Sequence, residues 1–89
     1  MKHKKIKTGT LYEIYDNSLQ IEINYGTCIY LGESKEKLWM RSDIKIKGNI
    51  YRDFIVLNFY SLLRNEKFKI LQKDFFYAGS GYLIKKLTI

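Results

Sequence analysis

Catalysis needs a nucleophile, a base or a set of metal donors, and this chain supplies few side chains of those kinds. Its single histidine, His3, and its single cysteine, Cys28, stand far apart in the sequence. A reactive thiol needs a base or cation nearby to hold it as thiolate. Cys28 sits in a stretch without charged neighbours and reads as a small core side chain, so a Cys-His enzyme is not expected. The nine Asp and Glu are scattered. None pairs at a spacing that suggests acid–base work in a cleft, and no His, Cys or carboxylate cluster suggests a metal site. Ala78-Gly79-Ser80-Gly81 lacks the lysine and the spacing of a phosphate-cradling loop and reads as a tight turn. The expectation is a non-enzyme with no cofactor.

A binding surface is the remaining possibility. From Leu38 to Lys47 the sequence alternates, with Leu38, Met40, Ser42, Ile44 and Ile46 on one face and Trp39, Arg41, Asp43, Lys45 and Lys47 on the other. A flat ring beside three cations at two-residue spacing is chemistry that stacks on bases and follows a phosphate backbone. The competing reading has Trp39 half-buried against the next strand and the lysines merely solvated. Lys67, Lys69 and Lys73 share one face of a late strand, opposite Phe68 and Ile70. The candidate nucleic-acid-binding residues are therefore Trp39, Arg41, Lys45, Lys47, Lys67, Lys69 and Lys73. A protein-binding module is the rival reading, with Tyr51, Tyr77 or Tyr82 as anchors.

The overall charge favours an anionic partner. Sixteen Lys and Arg against nine Asp and Glu give +7, and thirteen of the sixteen cations are Lys. Arginine carries most bidentate base-reading and phosphate chemistry, so contact with nucleic-acid backbone is expected over base readout. Lys2, Lys4, Lys5 and Lys7 with His3 make a basic N-terminal arm over residues 1–7, followed by one domain over 8–89. No apolar run is long enough for a membrane span, and a lone cysteine rules out an internal disulfide, so a cytoplasmic protein without a membrane partner is expected.

The elements that must position these residues read as strands. Eight Tyr, five Phe and twelve Ile against one Ala make a composition suited to pleated surfaces. Thr10 to Tyr15 and Ser18 to Asn24 form a first hairpin turning at Asp16-Asn17. Thr27 to Leu31 is a short strand that ends at the polar loop 32–36. The Leu38–Lys47 strand turns at Gly48-Asn49 into Ile50 to Tyr60, where Phe54-Ile55-Val56-Leu57 suggests a strand covered on both sides. Helical spacing of Val56, Phe59, Tyr60 and Leu63 keeps a helix over 54–63 open as the alternative. Ser61 to Glu66 reads as one helical or 3₁₀ turn, Lys67 to Gln72 as a strand, and 74–89 as a terminal hairpin.

Short bent strands in sequence, with one helical turn before a late strand, point to an all-β fold, a small SH3-like antiparallel barrel. An α+β arrangement, an antiparallel sheet with one packed helix, is the alternative.

Gly9-Thr10-Leu11, Leu19-Gln20-Ile21, Gly26 with Ile29-Tyr30-Leu31, Trp39 with Arg41 and Ile44, Phe54 to Leu57, and Leu63 before Phe68-Lys69-Ile70 occur in this order. Over about residues 8–71 the chain resembles a family of uncharacterised small SH3-like domains carried by conjugative elements and prophages of low-GC Gram-positive bacteria. The resemblance implies the barrel and a mobile-element origin. It brings no catalytic residues.

Overall fold

The computed structural model describes residues 6–19, 21–40 and 50–87. Five strands form one antiparallel sheet: β1 (Leu11–Asp16), β2 (Ile23–Met40), β3 (Ile50–Ser61), β4 (Glu66–Leu71) and β5 (Tyr82–Leu87), in spatial order β4-β3-β2-β1-β5. A single helical turn, α1 (Gln72–Phe75), and a 3₁₀ turn (Ala78–Ser80) connect β4 to β5. The fold is all-β.

The sheet curls around one core because alternate residues of every strand turn inward. Tyr12 and Ile14 of β1, Cys28 and Tyr30 of β2, Leu57 and Phe59 of β3 and Ile70 of β4 form a single buried cluster, with Phe68, Phe75, Tyr82 and Ile84 packed on it. Phe59 lies at its centre, within 5.4–6.1 Å of the rings of Tyr12, Tyr30, Phe68 and Phe75. Rings at such separations attract through their quadrupoles in addition to the area they bury. Among the described residues, β4 and β5, the two edges of the sheet, are not paired with each other, and α1 packs beside both.

Two glycines that read as strand ends prove to be bends within one strand. β2 runs on through Gly26 (φ 63°) and Gly32 (φ 117°), and its pairing slips by one residue at each, opposite Ile14/Tyr15 in β1 and beside Leu31 in the β2–β3 ladder. A residue at positive φ lets a strand bulge and coil without leaving the sheet, and glycine adopts it without a Cβ clash. The first bulge is pinned by Ser61, whose hydroxyl donates to the Tyr25 carbonyl (2.6 Å) and accepts from the Arg64 N–H (3.0 Å). The polar segment 32–36 is accordingly strand, paired with 54–58 of β3.

Other expectations need correction. The strand expected over 18–24 begins only at Ile23, and Leu19 and Ile21 are 65% and 73% exposed. The buried Asp16 carboxylate accepts the Ser18 N–H (2.8 Å), and Asn17 N–H donates to the Gly81 carbonyl (2.9 Å), which draws the chain out of the ladder before Ile23. No terminal hairpin forms over 74–89: β5 pairs along the whole of β1. The helical turn expected at 61–66 is a turn with Asn65 at φ 54°, and the helical residues lie at 72–75. The segment 54–61 is strand, paired with β2 throughout and with β4 over 56–61, which decides against the helix.

Candidate basic surface

β2 and β3 outrun their neighbours. β1 pairs with β2 only over 23–29, and β4 with β3 only over 56–61. Lys35–Met40 and Ile50–Ile55 therefore form a two-stranded ribbon, about 20 Å long at the usual rise per residue. The radius of gyration of 14.7 Å and long axis of 50 Å reflect this projection, since a compact chain of this length would have a radius of about 12 Å.

Arg41, Lys45 and Lys47, like Ile44 and Ile46 of the alternate face, lie outside the described residues. Ile50 pairs with Met40, and so is not the partner of Lys47 that a two-residue turn at Gly48-Asn49 would require. Trp39 is within β2, directly across from Tyr51 in the register, and this pair of positions falls on the same ribbon face as Lys37/Asp53 and Lys35/Ile55. Sequence alternation missed Tyr51 and the cations Lys35 and Lys37 as its companions. A hairpin placed one turn later paired Trp39 elsewhere, and only the observed register corrects it.

Lys67 and Lys69 are exposed on the outer face of β4, as expected from alternation. Lys73 is not on that strand. It belongs to α1, where its ammonium stands 5.5 Å from the centre of the Phe54 ring, because the chain leaves the sheet after Leu71. Lys69 is ion-paired with Glu36 of β2. Lys69, across Asn58 from Gly32, is on the β3 face that carries Asn58 and Tyr60, opposite to the face of the Trp39/Tyr51 positions. The structure thus brings Lys69 and Lys73 to the base of the ribbon but does not put them on the Trp39 face. Lys67 and Lys69 line a pocket of about 360 Å³ with Leu31, Asn58 and Phe68.

The registers also sort charge along the strands. Toward the ribbon lie Lys7, Lys35, Lys37, Arg52, Lys67, Lys69 and Lys73 against Glu33, Glu36 and Asp53. The opposite end holds Glu13, Asp16, Glu22 and Glu66 against Arg64, Lys85 and Lys86, with Arg64 ion-paired with Glu66 at 2.6 Å. Residues 41–49, which join the two ribbon strands in sequence, carry two of the seven net positive charges, and residues 1–5, ahead of the turn into β1, carry three.

Nothing in the core is poised for chemistry. Burial pushes the Cys28 thiol up to about 11, the reverse of an activated nucleophile, and its Sγ donates to the Gly26 carbonyl at 3.4 Å. Burial likewise raises the Tyr12, Tyr25, Tyr30 and Tyr82 hydroxyls above their ordinary value. Among the described residues there is no group of three His, Cys, Asp or Glu able to hold a metal, and no helix long and apolar enough to cross a membrane. Of the expected tyrosine anchors, Tyr77 is 65% exposed beside a groove of about 740 Å³ that Leu83 also lines, whereas Tyr82 packs on the core. No protein family, curated protein or solved structure matches the chain.

Proposed function

We propose that this chain is a non-enzymatic binding module, of SH3-like type and from a mobile genetic element, that contacts nucleic-acid backbone through the ribbon end of its sheet. The observation that carries the reading is the sorting of charge. Cations outnumber carboxylates where the ribbon projects and carboxylates slightly outnumber cations at the far end, so the field that draws in a polyanion also orients it. A Trp and a Tyr at facing ribbon positions add the stacking groups on which single strands are held. The meander order, with a helical turn before the last strand, supports the SH3-like description. The buried, raised Cys28 thiol supports the absence of thiol catalysis.

Fluorescence titration tests the reading. Single-stranded oligonucleotide should quench Trp39 at low salt, and affinity should fall steeply between about 50 and 200 mM salt as counterions are released. Trp39→Ala should weaken binding by about 1–3 kcal/mol. Absence of binding at 50 mM salt to single- and double-stranded DNA and RNA overturns the proposal. The second reading, a protein-binding module such as an inhibitor of a host enzyme, is favoured by the groove flanked by exposed Tyr77 and Leu83. Its interaction would be far less sensitive to salt.

A further inference from the structure

The turn that leads into β1 has a basic pocket of its own. Thr10 donates both its N–H (3.1 Å) and its hydroxyl (2.5 Å) to the Lys7 carbonyl, while Gly9 N–H donates to the Tyr30 carbonyl (2.8 Å) and Tyr30 N–H to the Thr10 carbonyl (3.0 Å). These bonds fix the turn against β2. Lys7 from the turn and Lys86 from β5 line one pocket of about 380 Å³ with Thr8, floored by Leu11 and Leu87. Among the described residues neither lysine makes an ion pair. Two lysines bordering one concavity give it a positive field, and a phosphate group accepts from several donors at once.

The pocket also has a neighbour. A Cβ placed on Gly32 would stand 3.9 Å from the Thr8 hydroxyl oxygen, so the turn abuts the β2 bulge at the root of the ribbon. Leu31, on the same bulge, lines the second pocket, the one that Lys67 and Lys69 border. Two lysine-lined pockets therefore flank one bulge, and Gly32 sets no side chain between them. Lys7 and Lys86 stand on the β5 side of this bulge and Lys67 and Lys69 on the β4 side. A flexible single strand can follow so curled a surface, whereas a duplex is stiff over this length.

We infer that Lys7, Thr8 and Lys86 form a phosphate seat, and that a single-stranded nucleic acid crosses the root of the ribbon from this seat over Gly32 to the Lys67–Lys69 pocket. The inference rests on the nucleic-acid reading and names its ligand class and path. A fluorescein-labelled eight-nucleotide oligothymidylate, followed by anisotropy at 50 and 200 mM salt, tests it on the whole chain. Losing two phosphate contacts lowers the single-strand salt slope by about 1.4, so in the Lys7→Gln/Lys86→Gln variant the drop in affinity across that range should shrink about sevenfold. Arg64→Gln, at the far end, should behave as wild type. An unchanged slope in the double variant overturns the seat while leaving the nucleic-acid reading intact. Tighter binding to a duplex of the same length overturns the single-strand path. If wild type binds neither, the nucleic-acid reading fails, and inorganic phosphate decides the seat alone. Saturable amide shifts confined to 8–11 and 86, lost in the double variant, uphold it, and absence of such shifts overturns it.

Discussion

Phe59 offers the sharpest test of how the core is held. It is fully buried, and four rings surround it: Tyr12 edge-on at 6.1 Å, Tyr30 tilted at 5.4 Å, and Phe68 and Phe75 stacked at 5.6 and 5.7 Å. Phe59→Leu keeps most of the volume and all of the hydrophobicity but removes every ring–ring contact. At about 0.5 kcal/mol for each of the four pairs, the low end for such contacts, the cost is about 2 kcal/mol. Phe59→Ala adds a cavity and should cost about 4 kcal/mol. A chain of this length has a total stability of only about 4–13 kcal/mol, so the alanine variant sits near the edge of folding and the leucine variant is the one to measure. Urea unfolding followed by far-UV circular dichroism gives both values. Leu62→Ala, on an exposed residue of the β3–β4 turn, is the reference. If Phe59→Leu costs no more than Leu62→Ala, the aromatic cluster contributes area alone and the argument from ring geometry is wrong.

Three further outcomes follow from the same packing. Val56→Ala should cost roughly 2–4 kcal/mol by urea melts, since Val56 is buried, whereas Lys67→Ala on the exposed face of β4 should change stability by less than about 0.5 kcal/mol. Gly26→Ala should cost more than the roughly 1–2 kcal/mol of a left-handed alanine, because the new Cβ would lie 2.9 Å from the Leu63 Cβ, and a thermal melt unchanged within 2 °C would refute the bulge geometry. Cys28 should make the protein labile to alkali. Its thiol stays protonated in the fold up to about 11 but ionises near 9 when unfolded, so the unfolded state binds fewer protons above pH 9 and stability falls as pH climbs through that window. Urea melts of Cys28→Ala across pH 8–10.5 should show a flatter decline than wild type, with the raised tyrosines accounting for what is left.

How much of this was legible beforehand depended on whether periodicity or long-range pairing decided the outcome. β-rich composition identified β1, and alternation identified the inward Phe68 and Ile70 and the outward Lys67 and Lys69, because a half-buried strand must alternate wherever it runs. The same alternation misled at Leu19 and Ile21. Two apolar residues at the right spacing imitate a strand, and only the local Asp16–Ser18 bond together with the long-range Asn17–Gly81 contact removes that segment from the sheet. Gly26 and Gly32 were misread for a related reason. Glycine marks positive φ, but whether positive φ ends a strand or bends it is set by the partner strand. For the candidate surface, residue types were legible and grouping was not. Lys73 moved to a helical turn, Trp39 and Lys69 fell on opposite faces, and Lys86 became a neighbour of Lys7 only through the β1–β5 pairing.

The ribbon also separates the chain's chromophores. Trp39, the only tryptophan, lies nine residues along β2 from Tyr30, about 30 Å of extended strand away from the aromatic cluster. Tryptophan emission therefore reports on the ribbon, while near-ultraviolet ellipticity from Tyr12, Tyr30 and Phe59 reports on the core. Two independent optical gauges are built into one small domain. Whether their denaturation curves superimpose measures, without any label, whether ribbon and core melt as a single cooperative unit or the ribbon lets go first.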